Sequence, residues 1–239
     1  MTPAQTVALL IPAAYLLGSV PFGLLVGLAR GVDVRDAGSG NIGATNVGRL
    51  LGKRYFFVVF FLDLLKGLLP MLAAAMVVRR FGVEPGAGLY ALWLAVGFAA
   101  IFGHMFSVFL KFKGGKGVAT SAGVIFGLYP YFTVPALAAL AVWFIAFGLT
   151  RYISLASILG AAVFPLAYVG TGLARGWPVF GRQWPLLVFA VLMAALIVYK
   201  HRSNIARLRA GTELRFGKPT EADAPARPSG DGEREPQSV

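Results

Sequence analysis

The sequence predicts an all-α, polytopic membrane helix bundle of seven transmembrane helices, with the N-terminus outside and the C-terminus in the cytoplasm. Three observations carry this reading. The chain is 57% hydrophobic and only 13% charged, with a mean hydropathy of +0.73; soluble domains are roughly 45–50% apolar and about 25% charged, so the surplus must face lipid. Apolar runs near the roughly 20 residues that cross a bilayer as a helix recur along the chain. The loops between them alternate between strongly and weakly basic, the signature of cytoplasmic and external loops.

The first run, 4–29, has no basic residue before it and is too long and wrongly flanked for a cleaved signal peptide, so it reads as the first span. Further spans are expected at 54–80, 88–110, 131–149, 152–173 and 184–200. The apolar stretch from 116 to 149 is too long for one helix, and Pro130 between Tyr129 and Tyr131 marks a break. A shorter helix over 116–128 therefore makes the seventh span. Loops 30–54 and 111–117, Arg151 and the stretch 200–218 then share fifteen Lys and Arg, while the opposite loops hold only Arg79, Arg80, Arg175 and Arg182. Residues 201–217 alternate basic and apolar side chains, as an interfacial helix does. The membrane domain is expected over 1–218. Residues 219–239 are rich in Pro, Glu, Asp, Ser and Gly with no apolar period, and are expected to form a disordered polar tail.

Composition also excludes function classes. The absence of cysteine rules out disulfides and thiolate metal sites. A net charge of +12 is explained by positive-inside loops, so no nucleic-acid partner is expected. Asp33, Asp36 and Glu213 are scattered along the chain, which speaks against a Mg²⁺ site for phosphotransfer; neither a metal nor a cofactor is expected. No internal repeat of the kind that builds inverted-repeat transporters is evident.

Three polar elements are candidates for chemistry, all on the strongly basic side. The loop from Gly31 to Arg54 is Gly-rich, carries Ser39, Asn41, Thr45 and Asn46, and is flanked by Arg35 and Arg49. It reads as too polar to insert and too Gly-rich for a stable helix; a flexible linker is the plain reading, a phosphate-clamping loop the functional one. Residues Lys111, Lys113, Gly114, Gly115, Lys116 and Gly117 pack ammonium groups and flexible backbone together, a phosphate cradle in outline. The spacing is not that of a nucleotide P-loop. The helix expected to follow would favour an anion at its N-terminus. The third element is HRSNIARLRAGTE, in which His201, Asn204 and Arg207 share a helical face. His104 and Ser107 share a face at the end of the third span. Asp63 and Lys66 lie inside the second span at i,i+3 and are expected to neutralise each other as an ion pair that braces the site above.

At these residues the chain resembles the bacterial acyl-phosphate:glycerol-3-phosphate acyltransferase family. The resemblance covers about 1–217 and is carried by GSVPFG (18–23), GSGNIGATNVGR (38–49), FFLDLLKG (60–67), GHMFSVFLKFKGGKGVAT (103–120) and HRSNIARLRAGTE (201–213). It implies a seven-spanning protein of the bacterial plasma (inner) membrane with its site facing the cytoplasm. It further implies transfer of a fatty acyl group from acyl phosphate to the sn-1 hydroxyl of glycerol 3-phosphate. The products would be lysophosphatidic acid and phosphate, the first step of phospholipid synthesis. The partners so implied are the two substrates and membrane lipid; no obligate protein partner is evident.

Two phosphorylated substrates account for two basic, Gly-rich loops. Ser39, Arg49, Lys113, His201 and Asn204 are assigned to glycerol 3-phosphate. The backbone of Gly114, Gly115 and Gly117, with Lys116 and Asn41 or Thr45, is assigned to the acyl phosphate headgroup; Arg35 is a further binding candidate. The hydroxyl proton is left to His201, to His104 or to a substrate phosphate. The acyl chain is expected in a groove between helices, open to lipid. A transporter of an anionic metabolite is the rival reading, with the basic loops as a funnel; it calls for polar residues along a path through the bilayer midplane, where this chain offers little beyond Asp63 and Lys66.

Overall fold

The computed structural model describes residues 1–217; the boundary at 218 and the tail expected over 219–239 lie outside the described residues. The described residues form eleven α-helices and one 3-10 turn, with no strand among them. The first apolar run is built from three pieces, α1 (Pro3–Ala8), α2 (Leu10–Ser19) and α3 (Phe22–Leu28). The break falls at Val20–Pro21, where proline has no N–H to continue the helix. Then follow α4 (Ala44–Leu51), α5 (Lys53–Arg80), α6 (Ala87–Met105), the 3-10 turn Val108–Leu110, α7 (Val118–Phe126), α8 (Thr133–Thr150), α9 (Ile153–Ala174), α10 (Trp184–Lys200) and α11 (Arg202–Arg209).

Among the described residues, five helical stretches are long and apolar enough to cross a membrane: Pro3–Leu28, Lys53–Arg80, Ala87–Leu110, Thr133–Thr150 and Ile153–Ala174. A sixth joins α10 to α11 across a 56° bend. Large apolar side chains line their outer faces, Leu149 (81% exposed) and Leu166 (72%) among them, as lipid-facing surfaces require. The stretch expected as a span over 116–128 holds only the 9 residues of α7, about 14 Å of helix. It nevertheless starts beside one end of α6 and leads to the other. A Cβ on Gly117 would meet the Met105 side chain, and the Tyr90 hydroxyl donates to the Tyr131 hydroxyl at 2.6 Å.

Close approach of helices rests on small residues, the usual device where lipid removes a hydrophobic drive between helices. A Cβ on Gly103 would strike the backbone of α2, and one on Gly67 or Gly123 would strike α7 or α5. The main core runs along α6, and away from the basic loops Phe132 meets Phe164 and Tyr168 edge to face and stacks on Phe189. A second, smaller core joins Leu24, Val34, Ile42, Ala44, Val47 and Val59.

That second core corrects one expectation. The loop 31–54 is not too Gly-rich for a helix: Ala44–Leu51 is helical. Glycine in a helix interior costs roughly 0.5–1 kcal/mol relative to alanine. Here Gly48 sits where a Cβ would strike Phe56 of α5, and Val47, wholly buried, inserts into the second core. Packing outweighs propensity, and the loop is clamped onto α3 and α5 rather than free.

Candidate active site

Asn46 organises the first loop from inside. It is 1% exposed, and its Oδ1 accepts from the Ser39 backbone N–H at 2.8 Å and from Arg49 Nη1 at 3.5 Å. Its Nδ2 donates to the carbonyls of Val34 (2.8 Å) and Ala37 (3.1 Å). One buried amide thus uses its donors and acceptor to fix the turn that presents Ser39 beside the last turn of α4, which carries Arg49. Asn41 Oδ1 accepts from the Gly43 N–H at 2.9 Å, a local turn in front of α4, and Thr45 is half-buried in its first turn. Arg35 is held by its guanidinium on the Asp33 carboxylate at the surface.

The Lys–Gly stretch doubles back on the end of α6. The Gly114 N–H donates to the Met105 carbonyl (3.1 Å) and the Gly115 N–H to the His104 carbonyl (3.0 Å). These two amides are therefore committed, and the expectation that they converge on a ligand does not hold. Glycine is needed there for closeness: a Cβ on Gly114 would strike the His104 carbonyl and one on Gly115 the His104 ring. Gly117 has φ +79°, the left-handed region that favours glycine, and leads into α7. Lys113 is exposed, whereas Lys116 turns inward.

Lys116 meets the third element. Its Nζ donates to Asn204 Oδ1 at 2.5 Å, and Asn204 Nδ2 donates to Glu213 Oε1 at 2.6 Å. Glu213 also accepts from Ser154 Oγ (2.7 Å) and from Arg207 Nε (2.8 Å). Its side chain is only 6% exposed. Burial by itself would raise the Glu213 carboxyl, but the bonds from Ser154, Asn204 and Arg207 outweigh it and hold the group below the usual carboxylate range. Burial pushes the Lys116 ammonium down to about 8; Arg207, Arg49 and Lys200 add to the fall against the pull of Glu213. Those same neighbours show which cations surround Lys116. Lys200 Nζ donates to the Met105 carbonyl at 3.1 Å, tying α10 to the same end of α6.

His201 sits at the bend between α10 and α11 and is 3% exposed. Its Nδ1 lies 2.8 Å from the Ile197 carbonyl. A carbonyl only accepts, so Nδ1 carries the proton and Nε2 is left as an acceptor. His104 is different. It is 5% exposed, its ring lies beneath Gly115, and its Nδ1 is 3.6 Å from Asp63 Oδ1. It faces the bundle interior, not the Lys116 cluster. Arg49, Lys116, His201 and Asn204 are thus brought together; Arg35 and His104 lie apart, and Ser39, Asn41, Thr45 and Lys113 line the first loop and the Lys–Gly turn.

Sequence reasoning missed Glu213 as the hub and Asn46 as the organiser. Both lie within the quoted blocks, and both are polar residues that an exposed loop would not bury. Among the described residues, no group of three or more His, Asp or Glu could hold a metal ion.

The family model described as glycerol-3-phosphate acyltransferase matches residues 8–211. The chain belongs to the glycerol-3-phosphate acyltransferase family. A relative of that name from Geotalea daltonii is 46% identical over 208 residues, 87% of this chain and 96% of its own length. One from Trichlorobacter lovleyi is 49% identical, covering 86% and 95%, and one from Aquifex aeolicus is 45% identical, covering 87% and 97%. The fold is also similar to a crystal structure of PlsY, an integral membrane glycerol 3-phosphate acyltransferase, in its glycerol 3-phosphate form. There the TM-score is 0.74 and the identity 44%, over 89% of this chain and 96% of that one. The lysophosphatidic acid form of the same protein gives a TM-score of 0.72 at 43% identity. The chain is a multi-pass, all-helical membrane acyltransferase.

Proposed function

We propose that this chain transfers a fatty acyl group from acyl phosphate to the sn-1 hydroxyl of glycerol 3-phosphate, giving lysophosphatidic acid and inorganic phosphate. The observation that carries the reading is the Lys116–Asn204–Glu213 chain. It joins the Lys–Gly stretch to α11 and gathers Arg49, Lys200, Arg207 and His201 around one partly buried ammonium. A cation cluster of that kind suits two phosphates held side by side. The solved relatives, in glycerol 3-phosphate and lysophosphatidic acid forms, support the same acceptor and product.

In the reaction, the glycerol hydroxyl oxygen attacks the acyl carbonyl carbon, the bond from that carbon to the phosphate oxygen breaks, and phosphate leaves. The mixed anhydride is already activated, so the protein's work is positioning and charge stabilisation. Arg49, His201, Asn204, Ser39 and Lys113 hold glycerol 3-phosphate. Lys116, with Asn41 or Thr45 and the amides near Gly117, holds the acyl phosphate, while Gly114 and Gly115 shape the turn. The acyl chain lies in the apolar groove of about 360 Å³ between α6 and α10, lined by Phe98, Phe102, Leu192, Ala195, Leu196 and Tyr199.

The hydroxyl proton has two acceptors in such a complex, His201 Nε2 and a substrate phosphate oxygen. A His201→Ala variant separates them: near-normal kcat assigns the proton to the phosphate, and a loss of about 10²-fold or more, within the range of general-base catalysis, assigns it to His201.

The chain crosses the bacterial plasma membrane seven times in this reading, with the N-terminus outside and the site facing the cytoplasm. The passage from Gly117 beside Met105 to Tyr131 beside Tyr90 supports a crossing through α7 and the turns after it. The charge asymmetry of the loops supports the orientation.

The deciding experiment incubates purified protein with acyl phosphate and labelled glycerol 3-phosphate, with acyl-CoA as control. Lysophosphatidic acid is expected from acyl phosphate alone; product only from acyl-CoA ends the donor assignment.

A further inference from the structure

Asp63 and Lys66 form an ion pair deep in the bundle, with Nζ 2.9 Å from Oδ1 and side chains 4% and 1% exposed. Two charges taken out of water carry a desolvation cost that their attraction rarely exceeds, and a neutral, well-packed pair in the same place is often as stable or more so. Their contacts point to a task other than stability. Lys66 Nζ also donates to the Val20 carbonyl at 2.9 Å, at the break between α2 and α3. Nearby, Ser107 Oγ donates to the Ser19 carbonyl at 2.6 Å. Lys66 therefore ties α5 to the broken first span, and Ser107 ties that span to the turn after α6.

The same Asp63 Oδ1 faces His104 across a longer, electrostatic contact, 3.6 Å from Nδ1. The His104 ring is the floor on which Gly115 lies, and the His104 carbonyl accepts from the Gly115 N–H. Lys116 is the next residue, and it reaches Asn204. From Val20 to Asn204 the contacts are continuous: Val20, Lys66, Asp63, His104, Gly115, Lys116, Asn204.

We propose that Asp63 and Lys66 are positioning residues for acyl transfer: as a buried charged strut they hold the His104 ring beneath Gly115, and so fix the height and direction from which Lys116 reaches the donor phosphate. The proposal rests on the assignment of Lys116 to acyl phosphate. His104 then acts through the loop it supports, which accounts for a buried histidine that faces no substrate.

The test uses the full chain purified in detergent, carrying Asp63→Asn and Lys66→Met together. This replaces both charges with neutral side chains of similar size and leaves no orphaned ion. Peptide-level hydrogen–deuterium exchange over 112–118 is expected to quicken at least about tenfold, while α8 and α9 exchange as in the wild type. The KM for acyl phosphate is expected to rise at least about fivefold, with a smaller change for glycerol 3-phosphate; a merely structural role would not separate the two substrates. Gly115→Ala, which presses a methyl onto the His104 ring and leaves both charges in place, is expected to give the same pattern and carries the test if the double variant does not fold. Wild-type exchange over 112–118 in the double variant overturns the strut whatever the kinetics. Faster exchange with both KM values unchanged keeps the strut as a support for the loop and overturns the donor assignment of Lys116.

Discussion

The two ends of the bundle use similar side chains in opposite ways. At the end bearing the basic loops, Glu213 is 6% exposed and takes bonds from Ser154, Asn204 and Arg207, while Lys116 is tied to Asn204. At the other end Arg182 pairs with Glu84 at 3.2 Å, with side chains 52% and 87% exposed. They flank a cavity of about 320 Å³ that also meets Arg79, Tyr90 and Tyr131. Both ends thus pair an arginine with a glutamate. The difference is solvation. Water satisfies the far-end charges, so they cost the fold little and gain little from each other. At the near end the Glu213 carboxylate and the inward-turned Lys116 are sheltered, so each must be satisfied by a neighbour.

The largest effect that would break this comparison is loss of Lys116. Lys116→Met is expected to lower kcat/KM about 10²-fold or more, as removal of a preorganised donor does, with folding intact by circular dichroism; a change under about threefold would reduce the near end to a topology signal.

Next comes Glu213→Gln, which strands Arg207 and weakens the hold on Asn204. Arg207 is 36% exposed, so the cost is expected below the roughly 3–5 kcal/mol of a fully buried pair and is read as a fall in Tm. The pH dependence has a definite sign. The folded carboxyl lies below its unfolded value, so its stabilisation is full above the unfolded pKa and disappears as pH falls through the lower folded one. Wild-type Tm is expected to drop at acid pH more steeply than that of the Gln variant.

The Lys116 ammonium sharpens the comparison further. With its pKa near 8 in the free protein, the cation is lost as pH rises past that value, and kcat/KM is expected to decline above about pH 8. A bound phosphate would favour the protonated form, so kcat should decline only at higher pH. Identical profiles for both constants would remove Lys116 from the phosphate.

The smallest effect is assigned to the far end. Glu84→Ala and Arg182→Ala are each expected to change stability by less than about 0.5 kcal/mol and activity by less than about twofold. A larger loss would mean that the far cavity takes part in the reaction.

The long spans were legible because lipid imposes a length and a composition that single segments must meet alone, as α5 and α9 do. The polar blocks were legible because charge and glycine are rare in such a chain. The helix at 44–51 was not, since its stability comes from Val47 and Gly48 against α5, contacts between segments. Nor was the commitment of the Gly114 and Gly115 amides to α6. His104 and His201 look alike in sequence; the structure buries both, one beside Asp63 and the other with an acceptor nitrogen near Lys116.

The sequence by itself determined the solvent, the helical class and which stretches carry the chemistry, because these depend on composition and period along one chain. The tertiary structure alone decided which charges are sheltered and which are wet. Arg182 and Arg207 are the same residue type near helix ends, each paired to a glutamate. Only the packing of Ser154, Asn204 and Arg207 around Glu213 keeps water from the carboxylate of the second pair, and that shelter separates a candidate site from a surface.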